Sequence, residues 1–128
     1  MTDTSKLKYT PTHEWVRLNG KTATVGITEH AQKEISDVVF VELPKVGKSI
    51  KPKDGVMVVE SVKAAFDIYA PMSGTVAKAN EKLTQKPELV NQSSYQDGWL
   101  YEIECSNVGE FEKLLTETQY NQTKSAAH

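Results

Sequence analysis

Short alternating runs of apolar and polar residues dominate the chain, separated by turn formers. Thr12 to Leu18 (THEWVRL) and Thr22 to Ile27 (TATVGI) show strand spacing on either side of Asn19-Gly20, a dipeptide that favours a hairpin turn. Thr28, followed by Glu29, His30, Ala31 and Gln32, reads as a helix start with a Thr N-cap, and the helix should end near Ser36. Val38 to Leu43 is a dense β-branched strand stopped by Pro44, with a turn at Gly47. Lys51 to Gly55 is a turn cluster, and Val56 to Ser61 and Ala65 to Tyr69 follow as strands. Pro71 to Gly74 punctuates before the strand Thr75 to Ala79, and Glu81 to Ser94 is loop with a helical turn. Trp99 to Glu104 is a further strand. Phe111, Leu114, Leu115 and Tyr120 fall on a helical period, which predicts an amphipathic helix over Glu110 to Tyr120.

Many short strands with frequent turns predict a β-dominated α+β fold of sandwich or barrel type. The 128 residues suit one domain, with a core over about 9–120 and with 1–8 and 121–128 expected as flexible ends. A net charge of -2 gives no general attraction to nucleic acid or to an anionic membrane. No apolar run is long enough to span a bilayer, and the polar start, Met1 to Lys8, lacks a signal core or presequence. A cytoplasmic protein is the simplest expectation, with a mature mitochondrial matrix protein as the alternative. Cys105 is the only cysteine, so dithiol chemistry would need sulfurs from a cofactor. It reads as a small buried strand residue.

No phosphate loop, zinc-type spacing or nucleophile elbow is present, and His13, His30 and His128 are scattered along the chain. Local chemistry alone would leave Lys63 as one solvated lysine in a connection between two strands. If Val62 and Lys63 form that connection, Ser61 opposes Ala64, Glu60 opposes Ala65, Val59 opposes Phe66 and Val58 opposes Asp67. Met57, Val59, Phe66 and Ile68 then share an inward apolar face, and Glu60 and Asp67 are diagonal neighbours on the other. Neither central residue is Gly or Asn, so a tight turn here needs negative φ at both.

Several ordered blocks change the weight on Lys63. Glu60-Ser61-Val62-Lys63-Ala64, then Asp67-Ile68-Tyr69 and Pro71-Met72-Ser73-Gly74, resemble the lipoyl-attachment hairpin of the glycine cleavage system H proteins. His13-Glu14-Trp15-Val16, Thr24 to Thr28 with Ala31-Gln32, and Val39 to Pro44 with Gly47 resemble that family's earlier segments. Pro87 to Asn91, Tyr95 and Gly98-Trp99-Leu100 resemble its later ones, so the likeness runs in family order from about Tyr9 to Tyr120.

The resemblance implies a lipoyl/biotinyl-type hybrid barrel-sandwich, with a short helix in the N-terminal half and a C-terminal helix. It implies lipoate held as an amide on Lys63, with Glu60, Ser61, Val62 and Ala64 as the surroundings a lipoate ligase or lipoyl transferase would recognise. It implies a monomeric, non-catalytic carrier that takes the aminomethyl group of glycine from the P-protein to the T-protein and passes electrons to the L-protein. Glu14, Asp67 and His30 are the candidates for flanking the loaded arm, since the aminomethyl group is cationic. Two departures stand out: Ser36 occupies a position where the family generally has Gly, and Phe66 one where it often has a small residue. A lipoyl storage or relay protein serving 2-oxoacid dehydrogenases is the alternative job. A 2-oxoacid dehydrogenase lipoyl domain or a biotin carrier is the rival carrier, and biotin carriers favour methionines where this chain has Val62 and Ala64. An enzyme using Glu14 and His30 as acid and base is the rival of a different class.

Overall fold

The computed structural model describes residues 6–126, whose strands form two antiparallel sheets. The larger sheet places β1 (Lys8–Tyr9), β2 (Glu14–Asn19), β3 (Thr22–Ile27), β9 (Tyr101–Cys105), β8 (Gly74–Ala79) and β5 (Ser49–Ile50) side by side in that order. The smaller orders β4 (Val38–Glu42), β6 (Gly55–Ser61) and β7 (Ala65–Tyr69). Helix α1 (Glu29–Ile35) joins the sheets, α2 (Leu89–Gln92) precedes β9, and α3 (Glu117–Ala126) follows it. The arrangement is the expected β-dominated sandwich, and the larger sheet does not close on itself into a barrel.

Period-two patterning places the core. Val16, Val25, Val41, Val59, Ile68, Val76 and Ile103, drawn from both sheets, are buried in one cluster. Trp15 points the opposite way from Val16 and is equally buried, in a second cluster with Leu7, Tyr9 and Tyr120. Its indole N–H donates to the Ser94 carbonyl at 2.8 Å. A Cβ on Gly26 would lie 2.5 Å from the Trp15 ring, so only glycine fits opposite this tryptophan. Trp99 packs on the same cluster, and Cys105 is buried in its strand as expected.

Four expectations shift. Asn19 pairs with Thr22, so the hairpin loop is Gly20-Lys21, with Gly20 at φ 66° supplying the left-handed residue. Lys8 is not part of a loose end, because it pairs with Val16, and Leu7 beside it is buried. The single helix over Glu110 to Tyr120 is two pieces: a 3-10 turn at Val108–Lys113, and α3 beginning at Glu117. Between them Leu115 exchanges two backbone hydrogen bonds with Tyr9, at 2.8 and 2.9 Å. Phe111 and Leu114 pack on the main core while Leu115 and Tyr120 pack on the second, so their helical spacing serves two faces. Thr116 and Gln119 exchange side-chain-to-backbone bonds, a capping box that marks where α3 starts. At the other end α3 continues to Ala126, through part of the segment expected to fray; Ala127 and His128 lie outside the described residues, as do Met1 to Ser5.

Candidate functional site

Lys63 stands at the tip of the β6–β7 hairpin, and the pairing across that hairpin is the one read from the sequence. Glu60 pairs with Ala65, Val59 with Phe66, Val58 with Asp67 and Met57 with Ile68. Met57, Val59 and Ile68 are buried and Phe66 packs on the core beside them, while Glu60 and Asp67 are exposed. Phe66 therefore points inward, away from the lysine.

The turn itself is built around Ser61. The Ser61 N–H donates to the Ala64 carbonyl at 2.9 Å. Ser61 Oγ accepts from the N–H of Lys63 at 3.0 Å and of Ala64 at 3.2 Å. The hydroxyl thus does the work that Gly or Asn would do in a primed turn, and neither Val62 nor Lys63 takes a positive φ. Val62 is 67% exposed and Ala64 is exposed, so both neighbours leave the amine open.

Helix α1 ends against this tip. Thr28 caps it, with Thr28 Oγ1 accepting from Ala31 N–H at 3.2 Å. Ser36 closes it at φ 75°, a left-handed backbone that favours glycine. The Asp37 carbonyl then accepts from Val62 N–H at 3.0 Å. Asn91 fixes the same corner: its amide nitrogen donates to the Ser36 carbonyl at 2.7 Å, and its oxygen accepts from Val38 N–H at 2.8 Å. Lys63 Nζ donates to the Glu34 carbonyl at 3.4 Å, toward the carbonyl-rich end of the helix, where the dipole favours a cation.

Beyond the far end of β7 lies a cleft of about 680 Å³. Glu14 lines it with Thr10, Thr12, Lys53, Tyr69 and Glu110 among others. Glu14 is 1% exposed. Its Oε1 accepts from Thr12 Oγ1 at 2.5 Å and from Thr10 Oγ1, and its Oε2 accepts from Tyr69 N–H at 3.3 Å. Burial raises the Glu14 carboxyl above its ordinary range, and the hydrogen bonds from Thr10, Thr12 and Tyr69 partly oppose the rise. Ala65, Asp67 and Tyr69 share one exposed face of β7, which runs from the lysine tip to this cleft. At about 3.3 Å per residue the strand covers roughly 13 Å.

Glu14 and Tyr69 thus meet at the cleft, and Asp67 lies between cleft and lysine. Neither Asp67 nor Glu60 lines the cleft. His30 does not line it either. It faces His13, with ring centroids 4.6 Å apart, and lies 3.6 Å from Glu34. The two histidines, distant in sequence, are neighbours, while His128 is outside the described residues. Thr10, Thr12, Asn91 and Glu110 escaped the sequence reading as site residues. Thr10 and Thr12 precede Glu14 at two-residue spacing, which was the available signal.

Known proteins resemble this chain along most of its length. The family model described as "Glycine cleavage H-protein" matches residues 7–127. A glycine cleavage system H protein of Thermotoga maritima is 52% identical over 115 residues, covering 90% of this chain and 93% of the relative. "Glycine cleavage system H protein 2, mitochondrial" of Arabidopsis thaliana is 50% identical over 115 residues, covering 90% and 74%. The crystal structure of a glycine cleavage system H protein from Mycobacterium marinum superposes with a TM-score of 0.86 at 33% identity, covering 94% of this chain and 98% of that one. Hairpin, sandwich and sequence matched along nearly the whole chain lead to one conclusion: this chain belongs to the glycine cleavage H-protein family, the carrier proteins of the glycine cleavage system.

Proposed function

We propose that Lys63 carries lipoate as an amide on Nζ, and that the cleft at Glu14 receives the cargo at the arm's end. Lipoate bound there would supply disulfide–dithiol chemistry for carrying the aminomethyl group of glycine, and this chain's own residues would anchor it at Lys63 and hold its cargo. The observation behind this assignment is Lys63 on a Ser61-stapled turn, with its neighbours small or uncharged and its amine open to a ligating enzyme. A fixed tip and a long stem let one anchor serve several docked sites at high local concentration.

The chain's own residues hold and protect. Glu14, shielded from water, offers a carboxylate to a cationic amine, and Oε2, which takes a long bond from Tyr69 N–H, has room for another donor. Thr10 and Thr12 orient that carboxylate. Asp67 and Glu60, exposed on the outer face, flank the route along β7, and His30 has no part in it. The protein is a non-catalytic, monomeric carrier serving the P-, T- and L-proteins, lipoylated by a lipoate ligase or transferase. It works in the cytoplasm, or in the mitochondrial matrix if the chain is a mature form.

Reconstitution with the three partner enzymes tests this. The lipoylated protein should support glycine-dependent turnover, while Lys63→Arg and the isolated protein should give none. Equal turnover by Lys63→Arg would sink the assignment.

A further inference from the structure

The cleft has a second carboxylate, Glu110, and its bonding differs from that of Glu14. Ser73 N–H donates to Glu110 Oε1 at 2.7 Å, and Ser73 Oγ donates to Oε2 at 2.8 Å. Both oxygens are engaged by one residue of the turn between β7 and β8. That turn also supplies Ala70 and Pro71 to the cleft. The strap runs from Ser106 to Leu115 and contributes Glu110, Lys113 and Leu114 to the lining. It is tied at its start by Ser106 N–H to the Ser73 carbonyl at 3.1 Å, and at its end by Leu115 to Tyr9. Between those ties Glu110 makes the one side-chain fastening to the β7–β8 turn among the described residues. Phe111 and Leu114 hold the strap by packing on the core, and the Glu110 fastening adds a polar tie beside Lys113 and Leu114 on the cleft side.

We propose that Glu110 is a positioning residue for the carrier reaction: its paired hydrogen bonds to Ser73 clamp the Ser106–Leu115 strap as one wall of the cleft and so keep water from the bound aminomethyl cargo. The proposal rests on the assignment of the cleft to cargo holding. It gives the two carboxylates separate roles, with Glu14 meeting the cation and Glu110 holding the wall.

Two measurements on Glu110→Ala, Glu110→Gln and Ser73→Ala test it. The first is amide hydrogen exchange in the lipoyl-free protein. Glu110→Ala should speed exchange of the Ser73 and Leu114 amides by about tenfold, the scale of one lost charge-assisted hydrogen bond. The second is the half-life of the cargo-loaded form, measured on fully lipoylated, fully loaded samples. It should shorten by a similar factor in Glu110→Ala and less in Ser73→Ala, which keeps the backbone bond. Glu110→Gln can still accept from Ser73 N–H and should recover most of both properties. Half-life and exchange unchanged in Glu110→Ala would overturn the proposal. So would a Gln variant as impaired as Ala, since charge rather than clamping would then be the cause. If the wild-type loaded form decays no more slowly than free aminomethyl-dihydrolipoamide, the cleft assignment itself fails, a result distinct from a Glu110 effect.

Discussion

The backbone N–H of Tyr69 donates to Glu14 Oε2 at 3.3 Å, across 55 positions of sequence. The bond joins the strand leaving the lysine hairpin to the buried carboxylate of the cleft, and so ties the proposed anchor to the proposed receptor. Replacing that carboxylate removes the charge that faces a cationic cargo. Glu14→Gln should shorten the half-life of the loaded carrier by about tenfold or more, the scale of a charge-assisted hydrogen bond. Release of the cargo over time, followed by mass spectrometry, reads this directly.

Glu14 also makes stability depend on pH. Burial raises its carboxyl above the ordinary value of 4.5. The folded state therefore holds the proton more tightly than the unfolded one. Below the unfolded value both states are protonated and the penalty is absent; it grows as pH rises toward the folded value and is complete above it. Relative to Glu14→Gln, the wild type should lose stability as pH rises through that window. Urea unfolding from about pH 4 to about pH 7 measures the stability of the wild type minus that of Glu14→Gln, and a difference that rises with pH would contradict the assigned direction.

Ser61 organises the tip by accepting two backbone N–H groups. Ser61→Ala should cost about 1 kcal/mol or less, because the turn is solvated and water can replace the hydroxyl. Its larger effect should fall on modification, since a looser turn presents Lys63 in many poses. Initial lipoylation rates, followed by intact mass with a lipoate ligase, should drop severalfold; an unchanged rate would mean the turn is held by backbone alone.

Ser36 sits at φ 75° at the end of α1. A serine there bears backbone strain that glycine would not. Ser36→Gly should stabilise the protein by about 1 kcal/mol, less any entropy lost by the freer unfolded chain. Thermal melting decides the sign, and a lower melting temperature in the Gly variant would show that Asn91 and the helix cap already relieve the strain.

Much of this site was legible in the sequence because strands obey a short period. A two-residue connection at Val62-Lys63 fixes the register from Met57 to Ile68, and that register puts Phe66 inside. Lys63 was legible only through the ordered blocks around it, since nothing in its local chemistry distinguishes it. The cleft was hidden for another reason: its lining comes from the Thr10–Glu14 turn, the Pro52-Lys53 turn before β6, the end of β7 and the strap before Leu115, which no periodicity connects. The C-terminal helix was misread where apolar residues at helical spacing divide between two cores. Strands of two residues, such as Lys8–Tyr9 and Ser49–Ile50, are too short to leave a pattern.

The central claim is that Lys63 bears the lipoyl group, and mass spectrometry of protein co-expressed with a lipoate ligase tests it most directly. A lipoyl-sized increase in intact mass, mapped by tryptic digestion to the peptide containing Lys63 and lost in Lys63→Arg, is the expected result. A biotin-sized increase, a lipoyl group on another lysine, or no increase at all would contradict it.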